Sequence, residues 1–258
     1  MEKITVFLAD WQVLFREGIH FTLSGEEDME VIGEDVTNQQ ALTFIETNPP
    51  QVAVLNANHE KMSGIRAAQH LRQNLPEVAV ILVLDTYNEE HLYHALKSGA
   101  SACLTKDVDP DTVVASIRQA AQGGQPISDA LLKPEIAARI LHEAEAISSL
   151  GEPLGKLMAR LTKREEEILR HVAEEKTLEQ TAEALGVTEE YIRTRLQSMH
   201  RKLVDNDQKI RLIQAVQSLP AIARVSLNGG PSSEYLTKEE FGAFKESLLE
   251  RFRSLSGE

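Results

Sequence analysis

Between Ile4 and Gln122 the chain alternates short, continuously apolar runs with stretches in which apolar residues recur at helical spacing. The runs ITVFLA, MEVIG, QVAVLN, VAVILVLD and SACLT read as buried strands. The stretches between them read as helices, with starts marked by Asn38, Asn88 and the Asp109-Pro110 pair. Strands and helices in strict alternation predict a parallel sheet covered by helices on both faces.

Five such units in this length fit a flavodoxin-like α/β domain, with a five-stranded parallel sheet and a ligand site at the carboxyl ends of the strands. After Gln122 the sequence GGQPIS breaks the alternation. Pro134 to Ser149 then reads as an Ala-rich amphipathic linker helix, followed by a second break at GEPLG. From Thr162 the pattern is all helical. Thr162 with Glu165, and Thr177 with Gln180, are capping boxes that open two helices; Gly186 separates the second from a third, over Thr188 to Leu203, and a fourth is expected from Asp207 to about Ser218. Beyond Pro220 a loop-like LNGGPSS precedes a last amphipathic helix, capped by Thr237 with Glu240, whose stripe holds Phe241, Phe244, Leu248 and Phe252. That stripe must be buried against the linker or a second subunit. The expected organisation is an α/β domain over 1–123, a helical linker over 124–160, an all-α four-helix domain over 161–219 and an extension over 220–258.

A chain of 258 residues with 42% hydrophobic content can give two domains a core each. No run approaches the roughly 18 apolar residues of a membrane span, and MEKITVFLAD lacks the pattern of a secretory signal, so the expected location is the cytoplasm, without membrane contact. The single cysteine, Cys103, allows no internal disulfide and reads as a small core residue. His91 and His94 share a helix face without acids at metal-ligand spacing, and read as solvated surface. No metal site, cofactor or catalytic residue is expected, since the chain has no phosphate-binding glycine loop, metal cluster or nucleophile-base pairing. The net charge of -13 speaks against nucleic acid until its distribution is considered. Residues 1–123 hold 18 acids against 8 lysines and arginines, whereas 161–217 hold 11 against 10. Acidity therefore belongs mainly to the first domain.

The third helix of the second domain is the most informative. Ile192, Leu196, Met199 and Leu203 form one apolar face, while Arg193, Thr194, Gln197 and Arg201 project from the other, and Arg195 and Lys202 flank the stripe. Arginine and glutamine pair with guanine and adenine edges in a major groove, and flanking cations suit phosphates. The stretch LTKREEEILRHVAEEKTLEQTAEALGVTEEYIRTRLQSMHRKL, 161–203, resembles the helix-turn-helix output domain of the NarL/LuxR family. That resemblance implies base contacts by Arg193, Thr194 and Gln197, backbone contacts by Thr188, Arg195, Arg201 and Lys202, and DNA bound by a homodimer. Departures from the family pattern are Glu175 in place of glycine, Lys176 and Leu178 in place of leucine and asparagine, and the bulky Tyr191 in place of a small threonine.

Residues 3–122 resemble the receiver domain of two-component response regulators, with LADWQVLFREGI, 8–19, closest to its NarL branch. The resemblance implies a carboxylate pocket that holds Mg²⁺ and an aspartate that accepts a phosphoryl group. Asp10 and Lys106 match the family's first acid and its lysine. Trp11 replaces the second acid, Asn56 the acceptor and Asp85 the hydroxyl residue. An amide is neutral and a poor nucleophile, so the expected molecule is a DNA-binding regulator with a receiver that is not phosphorylated and that serves dimerisation or a protein partner. The competing reading is a protein-interaction adaptor that keeps the fold without DNA. Asp85 is further expected to supply the counter-charge of Lys106, within about 4 Å.

Overall fold

A computed structural model of the chain describes residues 3–58, 62–149 and 157–218, with side chains up to position 214. The first domain runs β1 (Ile4–Ala9), α1 (Val13–Ser24), β2 (Met29–Asp35), α2 (Asn38–Thr47), β3 (Val52–Asn56), α3 (Gly64–Asn74), β4 (Ala79–Leu84), α4 (Glu89–Ser98), β5 (Ala102–Thr105) and α5 (Pro110–Ala121). All five strands are parallel, in the order β2-β1-β3-β4-β5. Side chains of successive strand residues point to opposite faces, so β1 sends Val6 and Leu8 to the layer formed with α1 and α5, and Phe7 and Ala9 to the opposite layer. The strand and helix expectations hold, with one boundary corrected. α2 is capped by Thr37, whose hydroxyl accepts from the Gln40 amide, and Asn38 lies inside the helix. Asn38 is instead a buried clamp that donates to the carbonyls of Asn56 and Met62 at 2.8 Å each.

After α5 the chain forms a 3₁₀ helix, Pro126–Leu132, and α6, Pro134–Ser148. Neither is a loose tether. Leu131, Ile136 and Ile140 are fully buried and belong to the same apolar cluster as Leu96 of the first domain and as Ile168, Leu169 and Leu196 of the second domain. Each such side chain contributes roughly 1.5–3 kcal/mol by leaving water. The second domain has α7 (Lys163–Ala173), α8 (Leu178–Leu185) and α9 (Glu189–Ser218). Both expected capping boxes are present, on Thr162 with Glu165 and Thr177 with Gln180.

The expected fourth helix is a correction: among the described residues α9 runs unbroken through the position at which a turn was expected. No glycine or proline occurs between Gly186 and Pro220, so nothing in the backbone ends the helix earlier. Val204 and Asn206 are also buried, and Asn206 Oδ1 accepts from the Ala159 amide while its Nδ2 donates to the Ala159 carbonyl. The GEPLG segment and the stripe of Phe241, Phe244, Leu248 and Phe252 lie outside the described residues.

Candidate functional site: a closed polar pocket and a reading helix

The carboxyl ends of β1, β3, β4 and β5 bring Asp10, Asn56, Asp85 and Lys106 together, as the sequence pattern predicts for a site at that edge. Lys106 Nζ lies 3.0 Å from Asp10 Oδ1 and 2.6 Å from Asp85 Oδ1. The latter is within the distance expected of a counter-charge. Asn56 Nδ2 donates to Asp10 Oδ2 at 3.0 Å and to Asp85 Oδ1 at 3.1 Å, while Asn56 Oδ1 accepts from the Asn58 amide. Asp10 Oδ1 also accepts from the Gln12 amide, and Arg16 donates to the Asp10 carbonyl. One ammonium and one amide thus serve as donors between two carboxylates. Trp11 and Phe15 lie over Lys106, with Nζ 5.4 and 5.3 Å from their ring centroids. Trp11 is half exposed and brings an indole to the place of an oxygen ligand. Hard divalent cations prefer charged oxygen donors, and this donor set offers two carboxylates that already hold an ammonium. The residues present therefore do not fit the Mg²⁺ of a phosphorylatable pocket.

In the second domain Thr188 precedes α9 and caps it, its hydroxyl accepting from the Tyr191 amide. Ile192, Leu196, Met199 and Leu203 are buried, as their spacing predicts, and Thr188, Thr194 and Arg201 are exposed. Gln197 is half-buried at the edge of the exposed stripe. Arg195 stacks toward Tyr191, its guanidinium 5.2 Å from the ring centroid, and its Nε is buried without a hydrogen-bond partner. Among the predicted DNA contacts Arg193 and Lys202 are ion-paired within the protein: Arg193 Nη1 lies 2.6 Å from Asp129 Oδ2 in the 3₁₀ helix, and Lys202 Nζ 2.6 Å from Glu165 Oε2.

Comparison with known proteins agrees with this geometry. Residues 6–118 match the response regulator receiver domain, and residues 157–203 match Sigma-70, region 4, a helix-turn-helix unit. The chain is 26% identical over 227 residues to the transcriptional regulatory protein DegU of Brevibacillus brevis, which spans 84% of this chain and 94% of that one. It is 27% identical over 202 residues to the nitrate/nitrite response regulator protein NarL of Escherichia coli K12, spanning 78% and 90%. The signal receiver domain of a NarL response regulator from Mycobacterium tuberculosis is 31% identical, over 48% of this chain and 99% of that one, with a TM-score of 0.46. The chain thus joins a response regulator receiver domain to a helix-turn-helix unit, and over most of its length it is similar to response regulators and transcriptional regulatory proteins.

Several residues that sequence reasoning passed over hold the two sites in place. Glu165, read only as a cap, is 1% exposed and accepts from Thr162, Ser198 and Lys202. Burial pushes its carboxyl up, but those hydrogen bonds and the Lys202 charge outweigh it and hold it below the usual carboxylate range. Its partners on α9 were signalled only by the i, i+4 relation of Ser198 and Lys202 on one helix. His200 Nε2 donates to the Leu96 carbonyl at 2.9 Å across the two domains, and burial first of all pushes its imidazole down to about 4. Lys97 and Glu143 form a buried pair at 2.8 Å between α4 and α6, joined by the Tyr93 hydroxyl, and burial draws the lysine down and the glutamate up. His91, read as solvated, contacts the Asn58 amide group, and His94 pairs with Glu90. Cys103 is partly buried against the core, and burial pushes its thiol up to about 12, which suppresses the thiolate that redox chemistry needs.

Proposed function

We propose that this DNA-binding response regulator recognises a specific sequence through α9 and does not accept a phosphoryl group at position 56. The finer claim is carried by one observation: the Lys106 ammonium is closed between Asp10 and Asp85, with the Asn56 amide donating to both carboxylates. A phosphoryl group would need a nucleophilic carboxylate, a cation and a free lysine, and each is replaced or already engaged. Arg193, Thr194 and Gln197 read base edges, and Thr188, Arg195, Arg201 and Lys202 meet the backbone. For Lys202 that contact requires leaving or sharing Glu165. Functional units of 1–123, 124–160, 161–219 and 220–258, a homodimer, a protein partner of the receiver and a cytoplasmic setting belong to the same reading. The pairing of Arg193 with Asp129 and of Lys202 with Glu165 favours a second reading, an adaptor without DNA.

Two assays test these readings. Incubation with acetyl phosphate and Mg²⁺, followed by intact mass, should show no phosphoryl adduct; an adduct would overturn the finer claim. Selection of genomic fragments by the purified protein should recover a defined site, and Arg193→Ala with Arg195→Ala should abolish the enrichment. No enrichment by the unsubstituted protein would favour the adaptor.

A further inference from the structure

Three stripes of α9 have different neighbours. Ile192, Leu196, Met199 and Leu203 turn into the core shared with α7 and α8. Arg193, His200 and Val204, at i, i+7 and i+11, form a second stripe that faces the receiver side. Arg193 pairs with Asp129, and His200, 2% exposed, donates to the Leu96 carbonyl. A Cβ placed on Gly99 would lie 3.3 Å from Val204 Cγ1. The third stripe, with Thr194 and Arg201, faces solvent.

We propose that the receiver is a fixed wall of the reading helix and that DNA is bound in this closed arrangement, without release of the receiver. The inference rests on the DNA-binding reading above and concerns how that site is regulated. Its first support is the character of the junction. Leu96 of α4, Leu131 of the 3₁₀ helix, Ile136 and Ile140 of α6, and Ile168 and Leu169 of α7 are fully buried in one cluster. Separation would return a continuous apolar surface to water, which is the dominant force against opening. The second support is α9 itself, which passes without a break from the reading segment to the segment that holds Val204 and Asn206 against the rest of the chain. A helix that runs unbroken from Glu189 past Asn206 offers no hinge between those two segments. The third is the polar pocket, in which a lysine held by two carboxylates leaves no vacant charge for a phosphoryl trigger. The solvent-facing stripe is meanwhile uncovered, and Asp129 fixes the Arg193 guanidinium at its border with 44% of that side chain still accessible. A base contact by Arg193 in this arrangement shares its guanidinium with the Asp129 carboxylate.

A covalent lock tests this directly. Gly99→Cys with Val204→Cys in the full chain brings the new Cβ to 3.3 Å from the Val204 Cγ1 position, beside an Arg72 side chain that must shift from 2.9 Å, and a thiol at 204 would bridge to it on oxidation. The probe is a genomic fragment recovered by the unsubstituted protein. The expected result is that the oxidised variant binds the fragment within about twofold of its reduced form. A loss of about tenfold or more on oxidation, restored by reductant, would overturn the proposal. A side chain at Gly99 is strained by its φ of 89°, so a second measurement uses the unsubstituted chain. Hydrogen exchange in α4 and the 3₁₀ helix should be as slow with the fragment bound as without it; faster exchange there on DNA binding would overturn the proposal. If no fragment is recovered by the unsubstituted protein, the DNA-binding reading fails first, and this inference with it.

Discussion

Restoring an aspartate at position 56 is expected to damage the protein, not repair it. Asn56 is 1% exposed, and its Nδ2 lies 3.0 Å from Asp10 Oδ2 and 3.1 Å from Asp85 Oδ1. Asn56→Asp puts an oxygen where that donor stands, so two hydrogen bonds become two contacts between anions. At 3 Å and an effective dielectric of about 20, each such contact opposes the charged form by roughly 5 kcal/mol before relaxation. The new carboxyl escapes most of this by binding a proton. With an unfolded pKa of about 3.9, protonation at pH 7 costs about 4 kcal/mol, which sets the scale of the destabilisation. The sign of the pH dependence follows: the folded variant holds one proton more than the unfolded chain above pH 4. Its deficit against the unsubstituted protein should therefore grow by about 1.4 kcal/mol per pH unit, up to the raised folded pKa. Urea unfolding of both proteins at pH 5.5 and 7.5 reads this out. Equal stability at both pH values, or a deficit that does not change with pH, would refute the account of the pocket.

Three further outcomes are expected. Glu175 has a φ of 61° and closes α7 with the paired bonds from the Glu175 amide to the Val172 carbonyl and from the Lys176 amide to the His171 carbonyl, so Glu175→Gly should raise stability by about 0.5–1 kcal/mol in urea. His200, pushed down to about 4 from an ordinary value of 6.5, is neutral in the folded protein and takes up a proton on unfolding between those values. Its contribution is complete above pH 6.5 and is lost as pH falls toward 4, by about 3 kcal/mol in all, a decline that His200→Gln should flatten in acid titrations of stability. Lys202→Met leaves the buried Glu165 carboxylate without its charged partner and should cost about 2–3 kcal/mol, part of which Glu165→Gln in the same chain should recover by thermal unfolding.

What could be read from the sequence was set by local rules. The strands were legible because each alternates between two buried layers and is bounded by turn residues, and the capping boxes of α7 and α8 were legible because both partners lie three residues apart. Glu175 was visible as a departure from a family glycine, and its positive φ gives that departure a physical meaning. The pocket residues were found by position, yet the bonds from Asn56 to both carboxylates depend on strand order and could not be read from spacing. α2 was mis-capped because Thr37 and Asn38 are both good caps and only the backbone decides between them. The separate helix expected from Asp207 was read from the pattern alone, although the chain there carries no helix breaker. The ties from Arg193 to Asp129 and from His200 to Leu96 join residues 64 and 104 positions apart, beyond the reach of any periodicity.

The central claim, a reader of specific DNA that is indifferent to phosphodonors, is tested most directly by one titration. A genomic fragment selected by the purified protein is titrated across a range of salt, with and without acetyl phosphate and Mg²⁺. The account predicts a defined site, affinity that falls steeply with salt, and coincident curves with and without the phosphodonor. Tighter binding in the presence of the phosphodonor, or no fragment above background, would contradict it.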